Sequence, residues 1–167
     1  MADASAVPFE TTAHVRDACL CLHTQRAARA LARRFDEALR PAALTNEQFS
    51  LLMALNRPQA ASMGEVATLL GVDRTTLTAA VKPLLRRGLA EVGVDARDSR
   101  VRRIWLTAEG HDCLTAAMPL WTGAHAALEA ELGDADPGRL RRDLKVLSGS
   151  GGPAPASDLC EVEEQTP

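Results

Sequence analysis

The chain has 167 residues, a net charge of −3 and 46% hydrophobic residues, with only three Phe, two Trp and no Tyr. That length supports one substantial core rather than two independent domains, and an Ala- and Leu-rich, aromatic-poor composition favours helices over sheets. No basic segment leading into an apolar core opens the chain, and no run approaches the roughly 18 apolar residues of a membrane span, so a cytoplasmic protein without a membrane partner is expected.

Charge is distributed unevenly. Residues 148–167 carry Asp158, Glu161, Glu163 and Glu164 with no Lys or Arg, whereas residues 74–103 carry eight basic side chains against three acidic ones. A local basic patch on a nearly neutral body points to a polyanionic partner.

Residues 1–11 are expected to be disordered. Thr12 offers an N-cap to a long periodic segment that runs to Arg40 and stops at Pro41. At about 1.5 Å per residue such a helix spans roughly 40 Å. Ala18, Cys21, Gln25, Ala28, Ala32, Phe35 and Leu39 form one stripe on it, and Leu20, Ala27, Leu31 and Ala38 another. Two apolar stripes call for two partners, the helix's own domain and a second subunit.

Three short helices follow. Thr45-Asn46-Glu47-Gln48 and Ser62-Met63-Gly64-Glu65 are capping boxes, the second opening a helix that ends at Gly71, and Asp73 caps a third helix that Gly88 terminates. The periodicity then falls to about two, with Leu89 to Val94 and Val101 to Leu106 flanking a polar stretch, which predicts a β-hairpin with a charged tip. Thr107 caps a further helix with a kink expected at Pro119, and Asp136-Pro137 opens a last one carrying Leu140, Leu144 and Leu147. Residues 148–167 read as a disordered acidic tail.

A short helix, a Gly turn and a second helix form the arrangement in which the second helix enters a DNA major groove. Its leading turn carries Arg74, Thr75, Thr76 and Thr78, one long bidentate donor with short hydroxyls, while Leu77, Val81 and Leu84 face the core. Lys82 follows on the exposed side, and Ser62 is placed to meet a phosphate. In the hairpin, Arg97 and Arg100 suit a minor groove or adjacent phosphates, with Asp95 expected to pin Arg97 in an extended pose. A basic tip alone is usually just solvated; the helix-turn-helix directly before it is what gives it meaning.

The segment MGEVATLLGVDRTTLTAAVKPLLRRGLAEVGVDARDSRVRRIWLTAEG, preceded by LTNEQFSLLMAL, resembles the winged helix-turn-helix of MarR-type transcriptional regulators, over roughly residues 14–146. The Asp-x-Arg-Asp-x-Arg wing followed by a strand and LTAEG carries the likeness. It implies a homodimer, built from N- and C-terminal helices, that binds a pseudo-palindromic operator on double-stranded DNA and is released by a small effector or by thiol modification. Two departures stand out: Ala79 sits where such proteins often have a polar or basic residue, and Pro83 lies inside the recognition helix, where it should kink the chain after the DNA-reading turns.

The expected architecture is therefore mainly α with a small β-hairpin wing, a winged helix-turn-helix flanked by dimerisation helices. It covers residues 12–147 as one domain, with a DNA-binding lobe at about 45–107, and acts most simply as a repressor that needs no cofactor. No phosphate loop, paired carboxylates or Ser-His-Asp cluster appears, so an enzyme is not expected. A winged helix used only for protein contacts is the alternative.

Cys19-Leu20-Cys21-Leu22-His23 is the remaining feature. On a continuous helix Cys19 and Cys21 lie about 200° apart, so neither a disulfide nor joint chelation is available without unwinding. Cys19 and His23 have i, i+4 spacing, but two ligands do not close a metal site. The stripe places Cys21 inward and Cys19 nearer the edge, beside Val15, Arg26 and Arg29. The position of Cys21 resembles that of the reactive cysteine in the OhrR-like peroxide-sensing subgroup, although that subgroup orients its thiol with tyrosines and this chain has none. Cys21, Cys19 and His23 are thus sensor candidates set against plain packing, with any metal undetermined. Cys113 reads as core and Cys160 as part of the tail; His14, His111 and His125 read as surface, cap or packing residues.

Overall fold

The computed structural model describes residues 6–149. They fall into two compact units divided between Ala127 and Leu128.

In the first unit, α1 (Phe9–Ala18) and α2 (Leu20–Leu39) occupy the stretch expected to be one helix. The helix starts at Phe9, three residues before Thr12, and breaks at Cys19. There the backbone is extended (φ −74°, ψ 105°), and α2 restarts with the Cys19 sulfur accepting from the Leu22 N–H at 3.4 Å. The break leaves carbonyls without helical donors, and His23 Nε2 lies 3.1 Å from one of them, the Asp17 oxygen. A carbonyl can only accept, so Nε2 is the donor in this contact.

The Arg40–Ala42 3₁₀ turn leads to α3 (Asn46–Leu55), opened by a reciprocal Thr45/Gln48 capping box. The two-residue strand β1 (Ala61–Ser62) precedes α4 (Met63–Leu70), and α5 (Arg74–Arg86) follows after Gly71, whose φ of +66° is the left-handed conformation a glycine accepts without strain. Strands β2 (Ala90–Val94) and β3 (Arg102–Leu106) form the expected hairpin. β1 adds to its far side, giving an antiparallel sheet in the order β1-β3-β2 with Ser62 opposite Arg103 and Val94 opposite Arg102. The third strand is too short to leave a period-two signal in the sequence.

The core is set by the apolar faces of these elements. Leu39, Leu51, Leu52, Val66, Leu77, Leu84 and Ile104 are its largest fully buried side chains. Leu77, Val81 and Leu84, at steps of four and three, all turn inward as their spacing predicts. Burying one such side chain contributes on the order of 2 kcal/mol. Of the first stripe on α2, Phe35 and Leu39 alone are buried, and its N-terminal part is uncovered.

Helix α6 (Ala108–Glu131) runs through Pro119, and its first turn is fixed by Thr107, whose hydroxyl accepts from the Gly110 N–H and donates to the Gly88 carbonyl. In the second unit, Gly133 (φ +56°) turns the chain into α7 (Pro137–Leu147), capped by Asp136 with Pro137 at the first position. Arg141 binds Glu129 at 2.7 Å, and no residue of α7 is buried.

Candidate nucleic-acid interface

The first HTH helix, α4, begins in a closed capping box. The Glu65 N–H donates to Ser62 Oγ at 3.2 Å, and the Ser62 N–H donates to Glu65 Oε2 at 2.6 Å. Hydrogen bonding from Ser62, through its backbone N–H first and its side chain second, holds the Glu65 carboxyl below its ordinary range. Ser62 is half-buried, with its hydroxyl at the mouth of the helix N-terminus, where anions are favoured.

The second helix, α5, is fixed by Asp73. Its carboxylate accepts from the Thr76 N–H at 2.8 Å and from the Thr76 hydroxyl at 2.7 Å, and both bonds lower its pKa, the backbone one most. Thr78 donates its hydroxyl to the Arg74 carbonyl at 2.7 Å. Thr76 and Thr78 therefore present acceptor lone pairs and methyl groups outward, their protons being used internally. Arg74, Thr75, Thr76, Thr78 and Lys82 are all exposed on the side of α5 away from Leu77, Val81 and Leu84.

Beside this helix lies a groove of about 600 Å³, lined by Thr45 and Gln48 of the α3 capping box and by Thr75, Thr76, Ala79 and Pro83. In the sequence, Thr45 and Gln48 mark only a helix start. Nothing in their local pattern says that the start of α3 packs alongside the leading turn of α5; that follows from tertiary packing.

In the wing, Arg97 and Arg100 are exposed at the tip. Asp95 Oδ1 accepts from the backbone N–H groups of Arg97 and Asp98 at 2.8 and 3.1 Å, so it shapes the turn. Its other oxygen is taken by the Arg103 Nε at 2.6 Å. The expected side-chain clamp of Asp95 on Arg97 is corrected accordingly: Asp95 holds the Arg97 backbone, and the side chain it binds is Arg103. Arg103 is the largest cause that lowers the Asp95 pKa to about 2, followed by the two backbone donors.

The sensor candidates are arranged differently from the helical-wheel expectation. Cys19 is half-buried and Cys21 exposed, the reverse of the expected order: Cys21 stays on the Phe35 stripe of α2, whose N-terminal part is uncovered, while Cys19 caps the helix with its sulfur. Gln25 Nε2 donates to Cys21 Sγ at 3.2 Å. Cys113 is half-buried rather than core, 4.0 Å from the Ala42 carbonyl, and Cys160 lies outside the described residues. Among the described residues no group of three or more Cys, His, Asp or Glu side chains is placed to hold a metal ion, and no helix is long and apolar enough to cross a membrane.

A separate cavity of about 420 Å³ is lined by α3 (Phe49, Ser50, Met53, Ala54), α4 (Leu69, Leu70) and α6 (Met118, Trp121). Its aromatic floor is built from Trp121, whose ring lies 6.1 Å from Phe49 at 16° and 4.6 Å from His125 at 28°.

Residues 44–101 match the model of the MarR family. The chain is similar to the Mycobacterium tuberculosis transcriptional regulator MosR, solved in complex with DNA, at 44% identity and a TM-score of 0.72, covering 79% of this chain and 95% of that one. It shares its fold with a mutant MarR from Escherichia coli complexed with operator DNA, at 22% identity and a TM-score of 0.72, over 80% of this chain and 96% of that one. It is 35% identical over 77 residues to the transcriptional regulator HosA of Escherichia coli, a match that spans 40% of this chain and 57% of HosA.

Proposed function

The chain belongs to the MarR family of transcriptional regulators, and from this premise we propose that it is a cytoplasmic homodimeric repressor that binds a pseudo-palindromic duplex. Arg74, Thr75, Thr76, Thr78 and Lys82 read the major groove and its phosphates. Ser62 meets a phosphate, and Arg97 with Arg100 enters the minor groove, on a turn shaped by Asp95. The observation that carries this reading is the Asp73 cap: it fixes the first turn of α5 so that Arg74 and the threonines are ordered and solvent-facing before any ligand arrives. Preordering lowers the entropic cost of docking. The DNA complex of MosR, a protein 44% identical to this chain, supports the same partner.

Release is assigned to two devices. The cavity floored by Trp121 suits a small apolar effector, and because α3 lines both that cavity and the groove beside Thr75, occupancy there is felt at the DNA-reading turn. The second device is thiol modification at the α1–α2 break. With the helix interrupted at Cys19, the geometry of a continuous helix no longer holds Cys19 and Cys21 apart, and His23 stands at the same break with its Nε2 on the Asp17 carbonyl.

Fluorescence anisotropy with a duplex enriched from a random-sequence library by the wild-type protein tests the reading. Affinity should fall steeply with salt, and Arg74→Ala or Arg97→Ala should weaken binding by about 1–3 kcal/mol, with a loss of about one from the salt slope where a phosphate contact is removed. Absent or salt-insensitive binding would instead favour a winged helix that contacts only protein.

A further inference from the structure

Arg103 reaches acceptors on three separate pieces of chain. From β3 its Nε donates to Asp95 Oδ2 at 2.6 Å, its Nη1 donates to the Ala60 carbonyl at 3.2 Å, and the same nitrogen lies 3.5 Å from Glu65 Oε2. Asp95 holds the wing turn through the Arg97 and Asp98 N–H groups. Ala60 immediately precedes β1, and Glu65 closes the capping box on Ser62. The register places Arg103 directly opposite Ser62 in the sheet.

We propose that Arg103 is a positioning residue for DNA binding: one guanidinium fixes the pose of the Arg97/Arg100 wing turn against the Ser62 end of α4, so that both reach one duplex in register. A planar fork with separate donors can serve Asp95 and Ala60 at once, whereas a Lys ammonium is a single point at the end of a flexible stem. The side chain is about one third exposed, and its Nε and Nη1 donors are held by protein acceptors, which ties it to the wing turn and to the segment before β1, so it acts through Arg97. The proposal rests on the DNA-binding reading for its affinity arm only.

The decisive measurement is a pair of double-mutant cycles on the enriched duplex, with amide hydrogen exchange run in parallel. Arg103→Ala should weaken binding about 10-fold and remove most of the additional loss caused by Arg97→Ala, because an unanchored wing no longer delivers that side chain. The loss from Arg74→Ala should remain additive, since α5 is capped independently by Asp73. In the free protein the Arg97 and Asp98 amides should exchange about 10-fold faster in Arg103→Ala, with the Leu77 and Leu84 amides unchanged. Full additivity with Arg97→Ala, or wild-type exchange at Arg97 and Asp98, overturns the proposal. If Arg103→Ala does not fold, Arg103→Lys is measured by the same two criteria and should show the same pattern at smaller amplitude. A wild-type protein that enriches no duplex defeats the DNA-binding reading, and the exchange arm still decides whether Arg103 anchors the wing.

Discussion

Cys19 caps α2 by accepting a hydrogen bond from the Leu22 N–H at 3.4 Å, two residues ahead of an exposed cysteine. A sulfur is a weak acceptor, and Ser is among the favoured N-cap residues. Cys19→Ser should therefore leave stability unchanged or slightly raised, and Cys19→Ala should lose about 0.5–1 kcal/mol in urea denaturation. The same geometry predicts order of reactivity. In the native protein a thiol alkylator followed by mass spectrometry should label Cys21 well before Cys19 and Cys113, because access decides. Faster labelling of Cys19 would mean that α1 and α2 do not part where the structure parts them. If peroxide still releases DNA from the Cys19→Ser, Cys21→Ser double variant, the sensor role fails.

Asp95 supplies a pH prediction. Its pKa is lowered to about 2, chiefly by the Arg103 guanidinium and then by two backbone N–H groups. A carboxyl depressed in the folded state contributes its stabilisation fully above its unfolded value, about 3.9, and loses it as pH falls toward the folded value. The wing turn should thus stay locked at pH 5 and above and loosen between about pH 4 and pH 2. Carbonyl-carbon NMR titration should give Asp95 a midpoint well below that of a free aspartate, and Arg103→Ala should move it up. A midpoint in the ordinary aspartate range would show that the Asp95–Arg103 pair does not persist in solution.

Gly110 marks a close approach of α6 to the start of the wing. A Cβ built there would lie 2.0 Å from the Leu89 carbonyl oxygen and 3.0 Å from its carbon, so backbone rather than a mobile side chain blocks it. Leu89 O also accepts from the Thr107 N–H, which limits how far it can retreat. Gly110→Ala should cost about 3 kcal/mol or more through overpacking. Gly123, in the same helix with nothing within 4 Å of its Cβ position, is the control. Gly123→Ala should be neutral or stabilise by up to about 1 kcal/mol. Equal effects at both positions would remove the steric explanation.

The parts of this fold that were legible in the sequence are those governed by neighbours along the chain. Thr45, Ser62, Asp73 and Asp136 cap the helices they were expected to cap, and Gly71 ends the one it was expected to end, because each bond spans only two to five residues. Leu77, Val81 and Leu84 followed from period alone. The break at Cys19 was not legible, since neither Gly nor Pro marks it and its compensating bond, His23 to Asp17, forms only once the chain has turned. The role of Arg103 was not legible for a related reason. Its partners Ala60 and Glu65 lie 43 and 38 residues away, and Asp95 becomes its neighbour only through the hairpin register. In the candidate interface, the residues on α5 and the wing tip were read from their own motif, while Thr45 and Gln48 reach the groove through packing between helices.

The proposed dimer makes the last prediction. Helices α1 and α2 expose Phe9, Val15, Leu20 and Leu31, and α7 exposes Leu140, Leu144, Val146 and Leu147, several at the steps of three and four that form one helical stripe. Isolated exposed leucines need no explanation, but repeated ones along a helix that buries nothing of its own indicate surface covered by another chain. Leu144→Glu and Leu31→Glu should each shift sedimentation from dimer toward monomer while leaving the far-ultraviolet circular dichroism of the helices in place. DNA binding should weaken in the same variants, because two half-sites about 10 base pairs apart are gripped together only by a paired molecule. A variant that sediments as a dimer at micromolar concentration removes its helix from the interface. Two such variants would leave the exposed stripes without the partner this reading gives them.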